Sequence, residues 1–119
     1  MERGGGHVVR ESEAGTVSIS GDAIAQIAGV VAAESYGIVG MAGRRGLSRL
    51  RARDRLRHGI AVRRADEGVV VDMSVVVEHG LNLAEVAKGL RDRVAFEVER
   101  LTGLAVAAVD VRVEQVRKS

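Results

Sequence analysis

The chain has 119 residues, of which 46% are hydrophobic, so it is long enough to bury one core and fold as one domain. It contains no cysteine, which excludes disulfide bonds and thiolate metal sites, and Tyr36 and Phe96 are its only aromatic residues, so the core must be aliphatic. No signal peptide is visible, and the most apolar run, residues 23–33, is about half the length that a spanning helix needs. We therefore expect a soluble, cytoplasmic protein.

The first half of the chain predicts a tail, a strand, a helix and two short extended segments. Residues 1–14 are polar and glycine-rich, and we expect a disordered N-terminal tail. A strand is predicted over residues 16–20, and Ser20 is placed to cap a helix that runs to about residue 33. Extended segments are predicted at residues 36–39 and 59–64, and the second continues into a hairpin turn.

The second half predicts a strand, a capped helix and a last strand. Alternating valines over residues 69–77 indicate a strand with one buried face. Asn82, three residues before Glu85, is placed to cap a helix that Gly103 ends in the left-handed conformation. A valine-rich strand follows, and its change of alternation predicts either a bulge or a late strand start at residues 107–108. Apolar residues at spacings of three and four give the helix a predicted buried stripe: Leu83, Val86, Ala87, Leu90, Val94, Val98 and Leu101.

These elements predict an α+β fold with the order β-α-β-β-β-α-β. We expect a two-layer sandwich in which a mixed β-sheet carries two main helices on one face. Residues 15–116 would form this single domain, interrupted by a basic connector at residues 41–58. The strands on either side of the long helix are expected to be parallel. The uncovered face of the sheet is expected to be solvated or to face a partner, with Val70 and Val76 among the polar residues Asp72, Ser74, Asp110, Arg112 and Glu114.

Positive charge is concentrated in the basic connector and the strand after it. Residues 41–64 carry a net charge of +8 and the rest carries −6, which together give the net +2 of the chain. The connector can be a solvated loop, a contact for an acidic surface such as anionic lipid or a partner protein, or a nucleic-acid contact. Nucleic acid is the least favoured of these, because no aromatic side chain lies there to stack on bases. The candidate binding residues are Arg44, Arg45, Arg49, Arg51, Arg53, Arg55 and Arg57.

No catalytic, cofactor or metal site is predicted. The glycines between residues 37 and 46 match neither the phosphate-binding loop with its lysine nor the dinucleotide-binding spacing. His7, His58 and His79 are far apart, and none has a second ligand at metal-binding spacing. No serine lies in a nucleophile-elbow context, and no pair of carboxylates suggests acid–base catalysis.

Several segments in fixed order resemble the alkaline shock protein family of Gram-positive bacteria. They are residues 15–20 and 34–39 around the first helix, the strands at 59–62 and 72–80, and the helix at 82–101 with the Thr102-Gly103-Leu104 step into the valine strand. The resemblance implies a small, cytoplasmic, non-enzymatic protein linked to cell-envelope homeostasis. Some members are held at the membrane by a small anchor protein, and some self-assemble. The arginine-rich connector departs from the family pattern, so the anchor of one relative need not apply here.

Two functional hypotheses follow from these observations. The first is an interaction or scaffold protein of the envelope-stress type, with a small membrane anchor protein, a second copy of the chain or an anionic membrane surface as partner. It would lie in the cytoplasm, at the inner face of the cell membrane. The alternative is a nucleic-acid or regulatory binding module that uses the connector. A third and weaker hypothesis is an enzyme whose site forms between subunits, which a pocket with converging polar groups would support.

Overall fold

A computed structural model of the chain describes residues 7–12, 15–42 and 59–118, with side chains described from residue 18 onward. Two helices and six strands are assigned in this part of the chain. In chain order they are β1 (His7–Ser12), β2 (Gly15–Ser20), α1 (Gly21–Ala33), β3 (Ile38–Met41), β4 (Ile60–Ala65), β5 (Gly68–Glu78), α2 (Leu83–Thr102) and β6 (Val106–Arg117). The α+β architecture predicted from the sequence is confirmed, with one additional strand at the start. The strands β1 and β2 form a two-stranded sheet of their own, separate from the four-stranded sheet of β3 to β6.

The additional strand β1 corrects the prediction of a disordered tail for residues 7–12. It pairs antiparallel with β2, from His7 opposite Ser20 to Ser12 opposite Gly15. The nearby glycines and charges favour a disordered tail, whereas the valine pair in HVVRES favours the strand. The pairing supplies hydrogen-bond partners that the backbone of β2 would otherwise lack on that edge. Residues 1–6 and 13–14 of the predicted tail lie outside the described residues.

The main sheet is built around β5, which pairs on both edges. One edge pairs antiparallel with β4 over its first half and with β3 over its second half. The other edge pairs with β6 in parallel, as expected for two strands joined by a long helix. The sheet is therefore mixed, and β6 is immediately adjacent to β5.

The register between β5 and β6 shifts twice. Val69 lies opposite Val106 and Val70 opposite Ala108, so one extra residue is present at Ala107 and the predicted bulge is confirmed. A second shift follows Val113, and the alternation of the sequence did not predict it. Between these shifts the pairing is regular.

Both helices cover one face of the sheet and enclose an aliphatic core. Alternate residues of β5, from Val69 to Val77, pack against the buried sides of α1 and α2, including Ile24 and Leu90. The predicted stripe of α2 is correct in its middle and wrong at its ends. Leu83 and Leu101 are 40% and 56% exposed, and the buried residue of the last turn is Thr102.

The predicted caps fix where the helices begin and end. The Ser20 hydroxyl accepts a hydrogen bond from the Ala23 amide at 3.0 Å. The Asn82 side chain accepts one from the Glu85 amide at 3.1 Å. Gly103 ends α2 with φ of 76°, in the left-handed region that favours glycine. All three are confirmed predictions.

Candidate protein-interaction surface

A groove between α1 and α2 forms an apolar depression on the described surface. Its first part has a volume of about 440 Å³ and is floored by aliphatic side chains of both helices, with Ile27 and Val30 from α1 and Leu101 from α2. Val30 is 42% exposed and Leu101 is 56% exposed. Large aliphatic side chains that stay this exposed on facing helices form a surface that a partner could cover.

Arg93 separates this first part from a second one. Its guanidinium donates to the Ser35 hydroxyl at 3.2 Å and to the Glu34 carbonyl at 3.4 Å, which ties α2 to the end of α1. The Ser35 hydroxyl in turn donates to the Val31 carbonyl at 2.6 Å. No carboxylate among the described residues forms an ion pair with Arg93. Its charge is therefore held at the centre of the groove and is available to an acidic ligand.

The second part of the groove lies between the end of α1 and the start of α2. It has a volume of about 580 Å³, and Tyr36, Leu81 and Val86 line it together with the α2 backbone at Gly89. Tyr36 is 78% exposed. Gly37 has φ of 85°, and a Cβ there would lie 2.8 Å from Leu81 and 2.9 Å from Val86, so only glycine allows this close approach. We call the two parts, joined at Arg93, the helix groove.

The rim of the helix groove carries both signs of charge. Arg100 makes a short contact with Glu97, with Nη2 to Oε1 at 2.6 Å and Nε to the same oxygen at 3.0 Å. Phe96, on the same side of α2, is 62% exposed. Phe96 is not a member of the predicted buried stripe of α2, and the groove was not predicted from the sequence. Phe96, a large apolar residue outside that stripe, was the available signal for an apolar surface on this side of α2.

The uncovered face of the sheet carries a network of charges, as predicted. Arg63 reaches Asp72 at 3.1 Å and Asp110 at 3.8 Å, and Arg112 reaches Glu114 at 3.6 Å. These groups are partly to largely exposed, so their contribution to stability is small. Val70 and Val76 are buried among them, at 5% and 2% exposure, so neither presents a contact surface by itself.

The candidate arginines of the basic connector, Arg44 to Arg57, lie outside the described residues. The structure does describe where the connector leaves and returns. The Ser74 carbonyl accepts a hydrogen bond from the Ala42 amide at 3.0 Å, and the Ser74 amide donates to the Gly59 carbonyl at 2.9 Å. Residues 42 and 59 therefore meet at one point on the edge of β5, and we call this junction the connector stem.

Across residues 18–42 and 59–118, no three histidine, aspartate or glutamate side chains come together as a metal site requires. Within the same ranges, neither helix has the length and hydropathy needed to cross a bilayer.

Comparison with known proteins identifies relatives along nearly the whole chain. Residues 9–118 match the profile of the alkaline shock protein 23 family, described as having a cell envelope-related function. The chain is 36% identical to the uncharacterized protein YloU of Bacillus subtilis over 107 residues, covering 87% of this chain and 89% of that protein. It is 32% identical to the uncharacterized protein Spy1614 of Streptococcus pyogenes over 107 residues, with 87% and 88% covered. It is also 25% identical to the uncharacterized protein YqhY of Bacillus subtilis over 105 residues, with 87% and 78% covered.

No solved structure matches the chain. The family profile and the relatives agree with the resemblance drawn from the sequence, and the match extends it from residue 15 back to residue 9, into β1. The chain therefore belongs to the alkaline shock protein 23 family, which has a cell envelope-related function.

Proposed function

We propose that this protein is a non-enzymatic interaction protein that supports the cell envelope by binding a protein partner at the inner face of the membrane. The observation that carries the proposal is the helix groove, which exposes Val30, Leu101 and Tyr36 around the unpaired charge of Arg93. Membership of a family with a cell envelope-related function supports the cellular setting. The groove is open and mainly apolar, which suits a macromolecular contact better than a small substrate.

The ligand that fits the helix groove best is an amphipathic helix of the partner protein. The groove runs between two helices, and its aliphatic floor would accept side chains repeated every three or four residues. A carboxylate on that helix would meet Arg93, whose present hydrogen bonds both use one nitrogen, Nη1. A small membrane anchor protein with an acidic amphipathic segment would have this chemistry.

The basic connector would provide a second contact, with an anionic membrane surface. Each arginine near such a surface adds on the order of 1 kcal/mol of attraction, screened by salt. The connector stem would hold both ends of this segment at one point of the domain. Weak attraction to lipid would concentrate the protein at the membrane, while the helix groove would select the partner.

Complementation of a strain that lacks the gene tests the proposed groove. One variant carries Val30→Glu and Leu101→Glu, and its control carries Ala61→Glu, an exposed position on β4. Survival under envelope stress is measured, and circular dichroism verifies that both variants fold. We expect the groove variant to lose complementation and the control to retain it. Full complementation by a folded groove variant would refute the groove as the functional surface.

Flotation with anionic vesicles tests the connector separately. Arg49, Arg51, Arg53 and Arg55 are changed to glutamate in one variant. A charge-matched control changes four basic residues elsewhere, namely Lys88, Arg91, Arg117 and Lys118. We expect the first variant to lose flotation and the second to keep most of it. Equal behaviour would exclude the connector as a lipid contact, and a salt-dependent gel shift without flotation would favour the nucleic-acid alternative.

A further inference from the structure

Strand β6 has an open edge. It pairs with β5 on one side, and the described part of the chain places no strand on its other side. Its 12 residues make it the longest strand of the sheet. The free amides and carbonyls of an edge strand can pair with another strand, so natural sheets usually cover or interrupt such an edge. Here the interruptions are the two register shifts, at Ala107 and after Val113.

A regular segment remains between these shifts, from Ala108 to Val113. Within it the side chains alternate between the two faces of the sheet. Val109, Val111 and Val113 lie on the core side, where Val109 is buried and the other two are half-buried. The side chains of Asp110 and Arg112 lie on the uncovered face and are 63% and 76% exposed. The open edge therefore leaves apolar area on one face and opposite charges on the other.

The order of these residues is self-complementary in one antiparallel register. If Val111 lies opposite Val111 of a second copy, Val109 meets Val113 and Asp110 meets Arg112 of that copy, each twice by symmetry. If the axis moves to residue 110, Asp110 lies opposite Asp110 of the second copy. If it moves to residue 112, Arg112 lies opposite Arg112 and Asp110 lies opposite Glu114. With the axis at Val113, Val111 would lie opposite Gln115. Gln115 follows the second register shift and pairs with Val76, so its side chain lies on the other face of the sheet from that of Val111.

We propose that two copies of this chain associate through antiparallel pairing of their β6 strands, with the two-fold axis at Val111. The pairing would join the two sheets into one continuous sheet and cover the half-exposed sides of Val111 and Val113. Only the segment from Val109 to Val113 and its neighbours would pair, so the dimer is weak and reversible. The proposal does not depend on the helix groove, which lies between α1 and α2.

Exchanging the charges of Asp110 and Arg112 tests the register. Both side chains are exposed, so their replacement leaves the core intact. Sedimentation velocity over a range of concentrations measures self-association of the full chain. Asp110→Arg and Arg112→Asp each place like charges opposite one another twice, and we expect each to weaken the dimer at least about tenfold. The double variant exchanges the two charges and should restore association. A double variant no tighter than the singles, or a wild-type chain that stays monomeric at the highest concentration, would overturn the proposal.

Disulfide trapping tests the axis, and the absence of native cysteine makes it selective. Val111→Cys should form a covalent dimer under mild oxidation, because directly opposite residues bring their Cβ atoms within disulfide reach. Ala61→Cys, on β4 at the opposite edge of the sheet, is the matched control and should stay monomeric. Dimers from the Ala61 variant alone, or a mixed disulfide between the two variants in preference to the Val111 homodimer, would contradict the proposed axis.

Discussion

Replacing Gly59 with alanine should open the connector stem at a measurable cost in stability. Gly59 has φ of 78°, which costs about 1–2 kcal/mol for a residue with a side chain. Its Cβ would also clash with the Ala42 carbonyl oxygen and lie 3.1 Å from the Ser74 carbonyl oxygen. Since both neighbours are backbone, the strand ends must separate, which weakens one or both hydrogen bonds of the stem at about 1 kcal/mol each. The expected total is about 2–4 kcal/mol.

Two other glycines separate the causes of that cost. Gly80 also has a positive φ, of 95°, but a Cβ there meets nothing within 4 Å, so Gly80→Ala should cost only the conformational part of about 1–2 kcal/mol. Gly40 has open space and no positive φ, so Gly40→Ala should be neutral or stabilising by up to about 1 kcal/mol. Urea denaturation followed by circular dichroism measures all three free energies of unfolding.

The order of the three urea midpoints separates the cost of the backbone conformation from the cost of the close approach. We expect the variant of Gly59 to unfold at the lowest urea concentration, that of Gly80 next and that of Gly40 last. If the variant of Gly59 unfolds with that of Gly80, the close approach of residues 42 and 59 is wrong. If it unfolds with that of Gly40, both the approach and the backbone conformation are wrong, and the connector does not return to its point of departure.

Three further substitutions test the packing and capping of α2. Leu90→Ala should lower the free energy of unfolding by about 3 kcal/mol, because Leu90 is 1% exposed in the core, and a urea midpoint unchanged from wild type would contradict its burial. Asn82→Ala should cost about 1 kcal/mol, since it removes the acceptor for the Glu85 amide, and Asn82→Ser should recover most of that loss in the same assay. Gly89→Ala should instead stabilise α2 by about 0.5–1 kcal/mol, because its Cβ would meet open space, and a loss of stability would show that the groove wall is closed there.

The core of the fold could be predicted because local signals coincide there. In β5 the two-residue alternation agrees with the burial of Val69, Val71 and Val75, and in α2 the caps at Asn82 and Gly103 agree with the apolar period. Each of these features depends on residues close in sequence, so one chain is enough to detect them.

The parts that sequence missed depend on contacts between distant segments. Strand β1 is stabilised by its pairing with β2, and the valine pair in HVVRES is too short to be distinguished from a tail. The helix groove exists because α1 and α2 meet at Arg93, whose contact with Ser35 spans 58 positions. Leu101 lies in the apolar stripe of α2 but lines the groove beside Ile27 and Val30 and stays 56% exposed, which the helical period alone does not encode.

The central claim, that the helix groove is the surface through which this protein acts, is tested most directly by photo-crosslinking in living cells. A photoreactive amino acid replaces Val30, Leu101 or, as the control, Ala61 on the far strand β4. We expect the two groove positions to give an adduct with the same membrane-associated polypeptide, and Arg93→Glu to abolish that adduct. No adduct from the groove, or equal adducts from Ala61, would contradict the claim.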